Sequence, residues 1–269
     1  MTTPTFAPAP PGFVGAAVDV PGRPGLSGRV PLPHGFLKAR SSSVAVVSGP
    51  PSPGLAVCLD RMGEDLARAG AGSFATPDPG AGILVGLEAG LEGGGVLGRA
   101  SRWRRAHVLA PVLAAAFAGT PSAGWRSTRQ STRRDLPVAA TARQAPGAPV
   151  SAHGHLEIDV ADHQPAGGWR LPIAVVTTLM DDPRAAADAL RATAHLESEP
   201  RLWERAARDA LTDPVLAAAA RECFLAAYAA LARHGADRAL RDALAAFTER
   251  YVLRSRCPAD DLLANSPRS

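Results

Sequence analysis

Arginine and tryptophan side chains are concentrated at the end of an alanine-rich stretch of the chain. Residues 101–129 read SRWRRAHVLAPVLAAAFAGTPSAGWRSTR, in which a segment of helical composition leads into a Thr-Pro turn. Trp125, Arg126 and Arg129 follow that turn within five residues. Guanidinium groups bind carboxylates and phosphates through paired N–H donors. The pattern predicts a site for a small anion on a loop held by a helix; the alternative is a solvated basic loop.

Two carboxylates, Glu157 and Asp159, alternate with apolar residues in the segment LEIDV. Strict alternation predicts a half-buried strand, and residues two apart on a strand lie roughly 6.6 Å apart on the same face. Carboxylate oxygens are ligands that Mg²⁺ prefers, usually together with phosphate oxygens of a substrate. The spacing suits a magnesium site, but an ordinary solvated strand face has the same pattern.

The elements that would position these residues differ along the chain. Residues 1–54 are rich in Pro, Gly and Ser and contain nothing long or periodic, so we expect a partly ordered N-terminal segment. Residues 55–269 are expected to form a single domain with a linker near 135–150. The pairs Asp182-Pro183 and Asp213-Pro214 are typical of helix starts. We expect an α+β protein whose C-terminal third is a cluster of antiparallel helices.

Composition excludes several classes of protein. The net charge of +4 comes from arginines interleaved with acids, with Lys38 as the only lysine, so no nucleic-acid surface is expected. Three distant cysteines predict no disulfide framework and a reducing compartment. The N-terminus lacks the pattern of a signal peptide. The apolar segment Val108 to Ala118 is shorter than the ~20 residues that span a bilayer. We therefore expect a cytoplasmic protein without a membrane partner; the sequence does not indicate its oligomeric state.

Four pieces of the sequence, in order, resemble the actinobacterial glutamate–cysteine ligases that open the ergothioneine pathway. The pieces are SGPPSPGLAVCLDRMGEDLARA, RWRRAHVLAPVLAAAFAGTPSAGWRSTRQ, GHLEIDVADHQPAGGWRLPIAVVTTLMDDPRAA and FTERYVLRSRCPADDLL. The resemblance implies a curved antiparallel sheet, a reduced form of the glutamine-synthetase-like fold, with helices outside it. It also implies ATP-dependent joining of the side-chain carboxylate of glutamate to the amine of cysteine, through an acyl phosphate, giving γ-glutamylcysteine.

The same resemblance implies roles for individual residues. Arg129 matches an arginine that would hold the carboxylate of glutamate, with Trp125 and Arg126 beside it as substrate-binding residues. Arg254 and Arg256 match the basic end piece and, with Arg129, are the expected catalytic residues. ATP and Mg²⁺ are the implied cofactors; glutamate, cysteine and ATP are the implied small-molecule partners.

The chain departs from the family pattern at the metal ligands. The early strand of the family carries a Glu-x-Glu pattern, whereas FVGAAVDV here contains one acid, Asp19. Asp159 stands where the family has arginine, and blocks appear shortened around residues 71–83 and 135–154. Two interpretations stay open: a shortened ligase with the metal set Asp19, Glu157 and Asp159, or a degenerate, non-catalytic paralogue on the ligase scaffold. A helical interaction module unrelated to catalysis is a third.

Overall fold

The computed structural model describes most of the chain. The described residues are 12–21, 26–70, 80–90, 93–136, 138, 148–152, 154–164 and 167–265. The start of the N-terminal segment and most of the predicted linker, residues 139–147, lie outside them.

Seven strands of the described residues form one open antiparallel sheet in the order β2-β3-β4-β1-β5-β7-β6. The strands are β1 Val14–Pro21, β2 Arg29–Pro31, β3 Phe36–Ala39, β4 Val44–Ser48, β5 Gly82–Leu87, β6 Val150–Ala152 and β7 Leu156–Asp162. The predicted α+β class with an antiparallel sheet is confirmed, and so is the strand predicted from the alternation in LEIDV.

Four of these strands come from residues before position 55, where the sequence shows no clear periodicity. The central strand β1 reads VGAAVDVP, and its alternate residues Gly15 and Ala17 are too small to make the polar alternation visible. The boundary expected at residue 54 falls between β4 and the first helix. Strands from both sides of residue 54 nevertheless belong to one sheet, since β1, which comes before it, pairs with β5, which comes after it.

Alternation along the strands gives the sheet two faces. Val18, Val47 and Ile83 are opposite one another in the register and point into the hydrophobic core. The polar face is the other one, and it carries Asp19 and Asp159. Gly82 and Leu84 of β5 lie on this face beside them, and the lack of a side chain at Gly82 leaves room there for a side chain from elsewhere in the chain.

Nine α-helices among the described residues supply the rest of the fold. They are α1 Leu55–Arg68, α2 Arg99–Ala116, α3 Thr128–Ser131, α4 Arg170–Asp181, α5 Pro183–Thr193, α6 Leu202–Arg208, α7 Pro214–Arg233, α8 Arg238–Arg250 and α9 Pro258–Asn265. Helices α1, α2 and α4 contact the strands, and α5, α7 and α8 pack behind them. The helical C-terminal third is confirmed.

The helical layer is held by aromatic and alanine packing. The rings of Phe117, Phe224 and Phe247 form a buried cluster with centroids 5.2 to 5.7 Å apart, which joins the end of α2 to α7 and α8. Helix α7 has the length and hydropathy of a membrane span, but 56% of its apolar window is buried inside the molecule. Such burial is typical of a core helix.

The three cysteines, Cys58, Cys223 and Cys257, are all buried and free. Burial raises the pKa of the Cys58 thiol to about 11 and that of Cys223 to about 12. These thiols are therefore protonated near neutral pH, which makes them poor nucleophiles.

Both predicted Asp-Pro helix starts are confirmed. The Asp182 carboxylate accepts the N–H of Ala185 at 2.7 Å. The Asp213 carboxylate accepts the N–H groups of Val215 and Leu216, each at 3.0 Å. Each cap satisfies backbone donors that have no partner inside the helix.

We expect Asp213→Ala to lower the free energy of unfolding by roughly 1–2 kcal/mol, because two N–H groups of α7 lose their acceptor and Arg205 loses the carboxylate to which it donates two hydrogen bonds. Urea unfolding followed by circular dichroism measures the change. Asp242→Ala is the matched control, since that carboxylate is 66% exposed within α8 and should cost less than about 0.5 kcal/mol. Equal losses in the two variants would contradict the capping role.

Candidate functional site

Arg129 lies against the polar face of the sheet. It belongs to the short helix α3, and its guanidinium covers Gly82, where an added Cβ would lie 2.5 Å from the Arg129 Cζ atom. Nη1 donates to the carbonyl of Ala161 at 3.3 Å, and Nη2 donates to the Asp159 carboxylate. Only 8% of the side chain is exposed. The absence of a side chain at position 82 is what allows this arginine to lie flat on the strand.

Asp159 is shared by two arginines. Besides Arg129, Arg133 donates from Nη2 to the second carboxylate oxygen at 3.1 Å, and its Nη1 is bound by Gln130 Oε1 at 2.8 Å. Burial alone would raise the pKa of Asp159, but the charges of Arg129 and Arg133 outweigh it and hold the pKa below its usual range. Asp159 is therefore an ionised internal counter-ion for both guanidinium groups.

A second buried carboxylate, Asp162, positions the loop that carries Arg129. It accepts hydrogen bonds from the N–H of Gly119 at 2.9 Å, from Thr120 Oγ1 at 2.9 Å and from Ser127 Oγ at 3.0 Å. Ser127 Oγ also accepts the N–H of Gln130 and so caps α3. Burial raises the pKa of Asp162. Asp162 was not among the predicted site residues, although it follows Glu157 and Asp159 on the same strand.

Asp19 lies on β1 and is almost wholly buried. Its carboxylate accepts the N–H of Gly82 at 2.9 Å and a hydrogen bond from Arg40. Burial raises the pKa of Asp19 even though Arg40 and Gly82 act in the opposite direction. Arg40, whose side chain is 42% exposed, was not among the predicted site residues. Asp19 and Arg129 thus both contact Gly82: Asp19 accepts its N–H, and the Arg129 guanidinium lies over its Cα.

Glu157 lies further along β7 and is engaged locally. His155 Nε2 is 3.0 Å from one carboxylate oxygen, and Ser151 Oγ donates to the other at 3.2 Å. The side chain is 26% exposed. It shares the polar face with Asp159, as the spacing along the strand predicted.

The predicted metal ligands are not gathered into one site. Among the described residues, no group of three or more His, Cys, Asp or Glu side chains is placed to hold a metal ion. Asp19 and Asp159 are each held by guanidinium groups, and Glu157 is held by a histidine and a serine. A Mg²⁺ ion needs free carboxylate oxygens and would be repelled by the guanidinium charges. The residues present therefore do not fit this metal.

Trp125 and Arg126 belong to the loop before α3 but are fixed to its surroundings. The backbones of Ser122 and Trp125 form two hydrogen bonds, of 2.9 and 3.1 Å, that close the turn. Arg126 Nε donates to Asp260 at 2.8 Å and Nη1 donates to the Arg208 carbonyl at 3.2 Å. Arg126 therefore ties the loop to α6 and α9, rather than joining Arg129 on the sheet.

The basic end piece lies beside α9. Arg256 donates to Asp261 at 2.7 Å, and Tyr251 donates to the same carboxylate at 2.7 Å. Arg254 is exposed at the end of a 3₁₀ turn. The hydrogen bonds described for Arg256 connect it to this C-terminal cluster and not to Arg129. The structure thus brings together Arg129, Asp159 and Asp19, and shows no such contact for the end piece.

Helix α9 also contacts the loop through its backbone. The N–H of Ala259 donates to the carbonyl of Ala118 at 2.9 Å, immediately before the residues that Asp162 binds. Together with the Arg126–Asp260 ion pair, this contact ties the loop to α9.

We expect Gly82→Ala to displace Arg129 and to lower stability by roughly 1–3 kcal/mol, because the new methyl group would also lie 2.8 Å from the Ala161 carbonyl. The matched control is Gly86→Ala on the same strand and face, where the added methyl group would lie at an ordinary contact distance of 3.6 Å from the His155 ring. Thermal and urea unfolding measure both variants. Equal behaviour of the two would show that Arg129 does not require the space at position 82.

We expect Asp159→Asn to cost on the order of 3 kcal/mol near neutral pH, because two largely buried guanidinium groups lose their counter-ion. Since the folded-state pKa of Asp159 is lowered, its stabilisation is present above the unfolded pKa of about 4 and is lost as the pH falls through the folded value. The difference in stability from the wild type should therefore shrink in acid, as urea unfolding over a pH series would show.

Asp135→Asn is the control, since that carboxylate is 89% exposed. A difference that stays constant down to low pH would argue against the ion cluster.

Comparisons with known proteins show that parts of this chain are similar in sequence to one enzyme family. Residues 142–268, just under half of the chain, match the glutamate-cysteine ligase family 2 (GCS2). The chain is 33% identical over 175 residues to the glutamate–cysteine ligase EgtA of Mycolicibacterium smegmatis, an alignment that covers 60% of this chain and 38% of that protein. The chain thus spans well under half the length of this curated relative. Over these regions the chain resembles the glutamate–cysteine ligases, as the four sequence pieces indicated.

Proposed function

We propose that the protein acts in the ATP-dependent ligation of glutamate to cysteine, and that the polar face of the sheet binds glutamate. The observation that carries the proposal is the pair Arg129 and Arg133 at one carboxylate, Asp159, on that face. A site that already binds a carboxylate side chain through two guanidinium groups has the donors needed for a carboxylate of a ligand. The resemblance to glutamate–cysteine ligases supplies the identity of that ligand.

In the proposed reaction, the side-chain carboxylate of glutamate attacks the terminal phosphorus of ATP, and ADP leaves. The amine of cysteine then attacks the acyl phosphate, phosphate leaves, and the amine loses a proton as γ-glutamylcysteine forms. Arg129 would bind glutamate in the place that Asp159 now occupies, so binding requires Asp159 to give up one guanidinium. Trp125, Arg126, Arg254 and Arg256 stay predicted site residues. ATP and reduced thiols place the reaction in the cytoplasm.

A non-catalytic paralogue is the second candidate, and two observations favour it. Asp159 occupies donors of both Arg129 and Arg133, and the described carboxylates are not arranged as a metal site. Phosphoryl transfer from ATP is normally supported by a divalent cation that neutralises the phosphate charge. A protein of this kind would keep the binding face without forming the new bond.

The test measures ADP release with ATP, glutamate and cysteine, each omitted in turn, beside a thermal-shift assay of the same ligands. We expect release that depends on both amino acids, and a loss of about hundredfold or more in kcat/KM for Arg129→Gln. Arg134→Gln, 54% exposed, is the matched control. A glutamate-dependent shift without ADP release would favour the paralogue. The absence of both responses would overturn the ligase and the paralogue and favour an interaction module.

A further inference from the structure

Helix α7 exposes an apolar face. Leu225 is 52% exposed and Tyr228 is 37% exposed, and they are two of the five large hydrophobic side chains that are exposed among the described residues. They are three positions apart, so they are neighbours on the surface of the helix. Ten other residues of α7 are buried in the helical layer, which leaves the exposure on one side. An apolar surface of this kind is typical of a place where another molecule packs.

The exposed residues on this side of α7 repeat at the spacing of a coiled coil. We call them the seam; its members, separated alternately by four and three residues and all exposed, are Ala218, Glu222, Leu225, Ala229 and Ala232. A mean spacing of 3.5 residues keeps such a row on one side of a helix, where a second helix can pack along it. The seam is about 21 Å long, from the rise per residue of an α-helix. Its geometry fits a helix as the occupant.

A groove of about 380 Å³ between α5 and α7 runs beside the seam. On its α5 side Asp188 and Arg191 pair at 2.8 Å, and the Arg191 side chain is 72% exposed. On its α7 side lies Glu222, which has no ion-pair partner among the described residues. The apolar seam is therefore accompanied by an unpaired anion on one helix and an accessible cation on the next.

We propose that the seam packs against the seam of a second copy of this chain, in an antiparallel dimer with its two-fold axis near Leu225. In such a dimer the same surface serves both copies, and every contact occurs twice. Residues equally distant from the axis face each other, so Leu225 meets Leu225 and Ala218 of one copy meets Ala232 of the other. The alanines let the two helix axes approach to about 8 Å.

The charges favour the antiparallel orientation. Glu222 of one copy then faces Ala229 of the other, and Ala229 lines the groove together with Arg191. The carboxylate thus meets a guanidinium across the interface, at both ends of the seam. A parallel dimer would instead place the two Glu222 carboxylates against each other, which costs energy.

The first experiment is sedimentation equilibrium of the full chain over a range of concentrations. One helix face and the rim of one groove form a small interface, so we expect a reversible dimer with a Kd on the order of 10 μM. A monomer mass that persists up to about 1 mM would overturn the proposal.

Leu225→Glu should raise the dimer Kd at least tenfold, because two added carboxylates would face each other at the axis. Leu263→Glu is the matched control, since Leu263 is 49% exposed on α9, outside the seam. Glu222→Arg and Arg191→Glu should each weaken the dimer, and the two changes in one chain should restore it. Equal dimerisation of the two leucine variants, or no rescue by the combined charge reversal, would contradict the proposed interface. Circular dichroism of each variant checks that it is folded.

Oxidative crosslinking tests the orientation, and the native cysteines give little background because they are buried. Leu225→Cys should form a disulfide-linked dimer by itself, since its two copies meet at the axis. Ala218→Cys should not do so alone, but should crosslink when mixed with Ala232→Cys. Self-crosslinking of Ala218→Cys as fast as that of Leu225→Cys would show a parallel dimer and overturn the antiparallel one.

Discussion

The sharing of Asp159 between Arg129 and Arg133 is the interaction on which the candidate site depends. Removing three charges from water costs several kcal/mol per ion, and the cost is offset only when each group finds good partners. Here both carboxylate oxygens are used, and Arg129 and Arg133 find further acceptors in Ala161 and Gln130. If α3 shifted on the sheet, some of these hydrogen bonds would break and leave a buried charge without a partner. The full set of bonds therefore favours one position of α3.

Small residues make this arrangement possible on both sides of the sheet. On the polar face, Gly82 lets a guanidinium lie on the strand while its own N–H is used by Asp19. On the other face, alanines of α2 and α7 are fully buried, which permits close packing of the helices. The cluster of Phe117, Phe224 and Phe247 fills the space where the helical layer is thicker. The two faces thus have different chemistry: one packs against the helices, and the other carries the ion cluster of Arg129, Arg133 and Asp159.

Local sequence patterns predicted the positions of helices and strands better than they predicted which distant residues contact one another. The alternation around Ile158 predicted β7, and the Asp-Pro pairs predicted helix starts, because each depends on neighbouring residues. Alternation did not reveal the strand β1, because Gly15 and Ala17 hide it, and only the resemblance matched FVGAAVDV to an early strand. The roles of Arg40 and Asp162 depend on contacts with residues 21 to 43 positions away, which periodicity cannot reveal. Arg129 and Asp159 were identified separately as substrate and metal ligands, and their bond to each other emerged only from the fold.

The contacts between α9 and the loop before α3 link the site to a late part of the chain. Arg126 and Asp260 are separated by 134 positions, and Ala259 binds the loop at Ala118. A ribosome adds residues one at a time, and domains acquire structure as their segments emerge. The loop that carries Arg129 is held by the sheet and by α6, and it gains its contacts with α9 only when that helix has been synthesised and has docked. The contacts of α9 therefore complete the support of this loop after every strand of the described sheet has been synthesised.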